Sequence, residues 1–415
     1  MSEAHNHYFK EVTLGHFLSE LPKSTLPASL ATTNGSYPFF CSSSIVKYAN
    51  TYLQDKPTVL MGTGGVASVN YGAEKFAYST DTWAFRSSNE DELNTEYIYR
   101  VIQKKLVEIG YCAFEGSGLK HLRKEYVKKL KLKVPVNKIV NRRILSILST
   151  IDQAIEKTEA LIEKYQQIKA GLMHDLFTRG IGVDGKLRPP REQAPELYRQ
   201  SPIGWIPKDW IFTTCENVCE KIIDCKNRTP PITHDGFPVI RTPNVRNGMF
   251  IDNELVFTDF NSYNIWTARG KPVVGDVVIT REAPVGEVCK IPERHHNACL
   301  GQRMMLYRTN PNKVVNDYFL YALQSEAIQN RLDLISGGST VGHVRVGDIR
   351  ELWFFCPEST DEQANIAQSL NSISLKLETE TNQLNKLIKQ KSGLMHDLLT
   401  GNVQVPISSA EAAHV

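Results

Sequence analysis

Two stretches of this 415-residue chain carry the same hydrophobic signature. Ile366, Leu370, Ile373, Leu377, Leu384, Leu387 and Leu394 follow alternating steps of four and three, with Glu380 and Lys391 in the two remaining slots; Ile144, Leu148, Ile151, Ile155, Ile162, Tyr165 and Leu172 repeat the frame. That period predicts two helices with one apolar seam each. Pro135 and Pro357 end the strand-like runs KKLKLKVP and ELWFFCP just upstream and mark where each helix begins. Asn137 is placed to cap the first helix, and Ser359-Thr360-Asp361-Glu362 has the spacing of a capping box for the second. At about 40 residues each helix is roughly 60 Å long. Neither can hide its seam alone, so they are expected to pair.

The two helices belong to a larger duplication. Gly171-Leu172-Met173-His174-Asp175-Leu176-Phe177-Thr178 recurs as Gly393-Leu394-Met395-His396-Asp397-Leu398-Leu399-Thr400, an offset of 222 (393 − 171). The same offset pairs Pro135 with Pro357, His121 with His343, Tyr99 with Tyr321 and Val66 with Val288, which predicts a repeat of more than 100 residues without a gap. Residues 36–65 have no clear counterpart in 236–287, so the two copies are expected to differ there. Residues 179–204 are rich in Gly, Pro and charge and read as a linker. Antiparallel helices let that linker be short in reach, and the expected molecule is a rod with a globular block at each end and an internal pseudo-twofold repeat.

Inside the blocks, short β-rich runs such as Thr58–Met61, Trp83–Phe85, Val277–Thr280 and Met305–Tyr307 alternate with helical stretches near 94–109 and 316–332. The fold class is therefore α+β. Hydrophobic residues at 41% and charged residues at 22% describe an ordinary globular chain. No apolar run approaches a membrane span and the start, MSEAHNHYFKE, lacks a basic-then-apolar signal, so a cytoplasmic protein is expected. The eight cysteines are scattered and are expected to be reduced thiols.

A catalytic site is hard to assemble from these residues. Gly62-Thr63-Gly64-Gly65 lacks the third glycine and following helix of a dinucleotide turn, and no GxxxxGK[ST] occurs. Thr229-Pro230-Pro231-Ile232 lacks the leading Asn or Asp of an amino-methyltransferase tetrapeptide. Ile223-Asp224-Cys225-Lys226 offers a nuclease-like Asp and Lys without a second carboxylate. Cys215, Cys219 and Cys225, even with His234, are spaced unlike a structural zinc site and read as buried thiols. No metal and no cofactor is expected on this chain.

Net charge is only +3, but its distribution points to a polyanion. Lys120, Arg123, Lys124, Lys128, Lys129, Lys131 and Lys133 crowd together opposed locally only by Glu125, a candidate strip for phosphates. Arg241-Thr242-Pro243-Asn244-Val245-Arg246-Asn247-Gly248 gathers two Arg and two Asn on an expected loop; Arg suits guanine and Asn suits adenine in the major groove. Arg281, Arg303 and Arg345 add guanidinium forks. In the first block Ser42, Ser43, Ser44, Thr63, Lys120, His121, Arg123 and Lys124 are candidates for DNA contact. Two blocks without catalytic motifs, held apart by helices, suit a reader of DNA.

Taken together, the duplicated GLMHDLFT and GLMHDLLT helices and the linker end Ile203-Gly204-Trp205-Ile206-Pro207-Lys208-Asp209-Trp210 resemble the specificity subunits of type I restriction-modification systems. So do the loops Gly116-Ser117-Gly118-Leu119-Lys120-His121-Leu122 and Gly338-Ser339-Thr340-Val341-Gly342-His343-Val344, which resemble those closing each recognition domain and add Ser339, Thr340 and His343 as DNA-binding candidates. The resemblance implies target-recognition domains at 1–136 and 205–357, helical spacers at 137–180 and 358–401, a linker at 181–204 and a tail at 402–415. It also implies a non-catalytic subunit that reads a bipartite, asymmetric site on double-stranded DNA. Its partners would be two modification (methyltransferase) subunits that methylate adenine and motor-nuclease restriction subunits, with S-adenosylmethionine, ATP and Mg on those partners. A stand-alone nuclease or methyltransferase, the alternative, would need motifs that the chain lacks.

Overall fold

The computed structural model describes residues 8–202, 204–337 and 342–406. The chain forms two compact units: the first joins the residues up to Ala160 with those from Thr381 onward, and the second is Leu161–Glu380. Both long helices form, Lys138–Thr178 and Thr360–Thr400, of 41 residues each. Each helix begins in one unit and ends in the other.

Start signals act as the sequence suggests. Asn137 Oδ1 accepts the Ile139 N–H at 2.7 Å, and Ser359 Oγ accepts that of Glu362 at 3.4 Å. The second half of the capping box is diverted, however. The Glu362 carboxylate, 8% exposed, turns into the second unit and takes Arg188 bidentately at 2.6 and 2.8 Å. It also accepts from the Ile181 backbone N–H at 3.0 Å and from Trp210 Nε1 at 3.2 Å. Buried charge is tolerated only when paired and hydrogen-bonded to this degree.

Antiparallel pairing is visible within each unit taken alone. In the first, Val140, Ile144, Leu145 and Leu148 near the start of one helix share a core with Met395, Leu398 and Leu399 at the end of the other. Lys391, the odd polar residue of the seam, reaches Asp152 at 2.6 Å. Arg100, 6% exposed, joins the same carboxylate and so fastens the helix Thr95–Lys104 to the seam. In the second unit, Leu176 near one helix end shares a core with Ile366, Ala367 and Leu370 near the other helix start.

Each unit hangs the same two sheets on this frame. A four-stranded antiparallel sheet orders Leu18–Glu20, Thr82–Ser87, Thr58–Gly62 and Val69–Gly72 in the first unit, and Cys219–Asp224, Met304–Thr309, Val277–Arg281 and Val285–Lys290 in the second. A three-stranded mixed sheet centres on Tyr37–Phe40 or on Phe237–Ile240. The segment that looks unmatched in sequence therefore has a structural counterpart: Phe39 pairs in parallel with Ala77 as Val239 does with Cys299. The ungapped repeat needs correcting too. Met61 faces Val69 where Ile279 faces Val288, so the counterpart of Val288 is Val69, while Val66 is a loop residue 85% exposed. Loop-length changes before Thr82 shift the offset.

The stretch that reads as a linker is packed rather than slack. Gly180 turns the chain at φ +66°, and a Cβ there would lie 2.4 Å from Arg188 Nη1 and from Glu362 Oε1. Ile181, Arg188, Ala194 and Tyr198 are all buried, and Tyr198–Ser201 pairs with Gly204–Pro207 as a hairpin.

Glu362→Ala should cost the second unit about 3 kcal/mol, because it takes the buried partner from the Arg188 guanidinium and leaves it only the more exposed Asp209 carboxylate. Replacing both together, Arg188→Met with Glu362→Leu, should cost clearly less. Urea unfolding followed through Trp210 fluorescence measures both, and equal losses would show that charge burial is not the cause.

Candidate nucleic-acid interface

Three main-chain contacts build the same edge in each unit. At the end of the inner strand, Thr63 N donates to the Asp81 carbonyl at 3.0 Å and Arg281 N to that of Arg303 at 2.9 Å. The returning loop closes over this strand end: Leu122 N donates to Thr63 O at 2.9 Å, Val344 N to Arg281 O at 3.1 Å. Single bridges join Gly64 to His121 and Glu282 to His343. Position for position, Thr63, Gly64, Asp81, His121 and Arg123 correspond to Arg281, Glu282, Arg303, His343 and Arg345. The scaffold is common and most of the side chains are not.

The first unit's edge is small and polar. Ser42 Oγ bonds to Asp81 O at 2.5 Å and accepts the Thr63 N–H at 3.0 Å, and Thr63 Oγ1 reaches Asp81 O at 2.7 Å. Ser43 Oγ accepts the Ile45 N–H, and Ser44 is exposed. Lys120 lends its carbonyl to Gly65 N at 2.9 Å, leaving its side chain exposed beside His121. Thus Ser42, Thr63, Lys120 and His121 come together. The expected lysine strip does not stay unopposed: Arg123 pairs with Glu115 at 2.8 Å, Lys131 with Glu11 at 2.8 Å, and Lys124 and Lys128 meet Glu20 at 3.6 and 2.8 Å. The Lys128 hydrogen bond is the main influence holding the Glu20 carboxyl below its usual range, against the opposing effect of its partial burial. Lys124 also lies over the Trp83 ring at 5.2 Å.

In the second unit the edge is charged. Glu282 is ion-paired with Arg303, Nε to Oε2 at 2.9 Å, and contacts His343 Nδ1 at 2.6 Å. Arg345 is exposed next to them. Glu282 carries no motif of its own and emerges only once Gly64 is seen to occupy its place. Two candidates are corrected. Arg281 is 6% exposed, with Nη1 donating to Val344 O at 3.2 Å, so it faces inward. Asn244 is fully buried: its Oδ1 takes the Arg241 N–H, and its Nδ2 donates to Ile251 O at 3.0 Å and Asn253 O at 3.3 Å. The physical reason is a turn, Thr242–Asn244, followed by a hairpin of Val245–Arg246 and Met249–Phe250, whose backbone needs internal partners.

At the hairpin tip Asn247 and Gly248 take φ 51° and 82°, the two-residue turn that Asn-Gly favours. Asn247 N donates to Glu287 at 2.7 Å. Arg241 and Arg246 are half-buried and spend N–H groups on the Glu254, Thr242 and Val245 carbonyls. The loop is braced at its base by Asp252, which takes Arg294 at 2.7 Å and His295 at 2.6 Å. Ser339 and Thr340 lie outside the described residues.

The remaining candidates are paired or buried. Asp224 is ion-paired with Arg269. Burial pushes the Cys219 thiol up to about 12 and Cys215 well above its ordinary value. Among the described residues no three His, Cys, Asp or Glu side chains gather as a metal site, and no helix is long and apolar enough to cross a membrane.

Against known proteins, a profile for the type I restriction modification DNA specificity domain matches residues 8–167 and again 207–390. The chain belongs to that family, as a type I restriction-modification specificity subunit. It is 23% identical to the type I restriction enzyme MjaVIII specificity subunit of Methanocaldococcus jannaschii, over 95% of this chain and 92% of that one. It is also 23% identical to the EcoDI specificity subunit of Escherichia coli, over 51% of this chain and 49% of that one. The S subunit from M. genitalium shares the fold at a TM-score of 0.64 and 15% identity, covering 98% of this chain and 99% of that one.

Asn244→Ala should loosen the hairpin by about 1–3 kcal/mol, since it leaves buried carbonyls without donors. Faster amide exchange across residues 245–254 would report it. The Asp252 brace should also depend on pH. The Arg294 hydrogen bond is the main influence depressing its carboxyl, helped by His295 and opposed by desolvation. The bracing is therefore complete above about pH 4, the ordinary Asp value, and is lost as pH falls through the depressed value. Amide exchange of the same segment during acid titration should show protection falling only in that acid range.

Proposed function

We propose that each unit reads one half of a bipartite, asymmetric site on double-stranded DNA, and that the chain performs no chemical step itself. The observation that carries this reading is the pair of matched edges: the same main-chain contacts place Gly64 and Asp81 in one unit where the other has Glu282 and Arg303. Two edges of one geometry with different side chains favour two different sequences. On this reading the bound chain directs two modification subunits to adenine, and restriction subunits join them to act on unmodified DNA. S-adenosylmethionine, ATP and Mg belong to those partners. Arg303 and His343, both held by Glu282, read base edges, while Lys120 and Arg123 contact the backbone.

Selection from a randomised duplex library, with spacer length also varied, tests the reading; a single continuous motif or none would refute it. Incubating the chain alone with DNA, Mg and S-adenosylmethionine should give neither cleavage nor methyl transfer. In the same selection Arg303→Ala should relax one half-site by about 1–3 kcal/mol at the affected base pair and leave the other unchanged. Equal change in both would break the assignment of one unit to one half-site.

A further inference from the structure

Beside the charged edge of the second unit lies a cavity of about 640 Å³, and its lining is strongly one-sided. Lys226, Arg228, Arg269, Arg281 and Arg345 all face it, together with His343. The one carboxylate in the lining is Asp224, already paired with Arg269. Five permanent cations against one carboxylate leave a surplus of four positive charges (5 − 1) within a partly enclosed space, where the protein walls focus the field.

Arg281 shows what the cavity lacks. Its side chain is buried and Nη1 is used by the Val344 carbonyl, but Nε has no hydrogen-bond partner. A buried donor without an acceptor is a costly exception in folded proteins, and an anion entering the cavity is the natural acceptor. The rim is held ready: the Lys226 ammonium and the Arg228 guanidinium lie over the Trp266 ring at 5.2 and 5.4 Å, and Trp266 Nε1 donates to the Arg228 carbonyl at 2.9 Å. In the first unit Thr63 occupies the place of Arg281, so the buried guanidinium at this position belongs to the second unit only.

We propose that this cavity binds a phosphate of the DNA backbone flanking the half-site read by the second unit, giving that unit an anchor the first lacks. The proposal rests on the DNA-reading assignment above. Arginine forks match phosphate oxygens in pairs, and the cavity shares Arg281, His343 and Arg345 with the reading edge, so a duplex lying on that edge would bring its backbone to the mouth.

The test uses the full-length chain and duplexes in which one phosphate at a time is replaced by a neutral methylphosphonate. Wild type should lose about ten-fold in affinity at one or two positions beside a single half-site. Arg281→Gln should lose a comparable amount on unmodified DNA and show no further loss at those positions. Its dependence of log K on log salt should be shallower by about 0.9 for each phosphate no longer neutralised. Should Arg281→Gln fold poorly, Lys226→Gln and Arg345→Gln at the accessible rim serve the same purpose. Methylphosphonate effects and salt slopes identical in wild type and variants would overturn the proposal. Inorganic pyrophosphate titrated against tryptophan fluorescence separates the sources of phosphate: tight binding with no methylphosphonate-sensitive position would make the ligand a free phosphate and overturn the backbone assignment. If wild type shows no sequence preference at all, the half-site reading has failed, and the difference in salt slope still decides the pocket.

Discussion

A helix of 41 residues with one apolar seam cannot stand alone in water, and every larger feature of this molecule answers to that constraint. The start of each long helix is buried with the end of the other, inside a core to which a β-rich body also contributes. Charged residues along the long helices are paired where they are buried. Asp152 takes Arg100 and Lys391 in one unit, and Glu362 takes Arg188 in the other. These two arrangements are not copies: Val140 stands where the repeat would put a second Glu362, and Ala322 where it would put a second Arg100. Duplication supplied the geometry, and each unit solved its own polar burial.

What was legible in the sequence follows from this. Heptads, caps and the proline boundaries report local periodicity, so both long helices and their pairing could be read directly, as could strands such as Val277–Arg281. Loop lengths do not obey a period. The offset that aligns Tyr99 with Tyr321 therefore slips before Thr82, and the likeness of Tyr37–Phe40 to Phe237–Ile240 appears only through strand pairing.

Side-chain fate was the least legible. Glu20 lies far from Lys124 and Lys128 in the chain, and only the sheet order brings it beneath them. Asn244 looks like a reader by composition but is needed inside a turn. Arg281 ends a strand, where sequence alone cannot say that the returning loop will cover it. Glu282 was invisible because its counterpart is a glycine. The family resemblance identified the architecture, while these assignments required knowing which groups meet.

The matched edges have a further consequence. The contacts from Thr63 to Asp81 and from Arg281 to Arg303 run between main-chain atoms, which are indifferent to the side chains they carry. Exchanging side chains that take no part in these contacts leaves the ladder intact, so the folding free energy is largely uncoupled from what such positions display. Most proteins that change a binding preference must recover lost stability elsewhere in the chain. Here substitutions can accumulate at the edge with little selective penalty from folding, and a lineage can wander among specificities without passing through an unfolded ancestor.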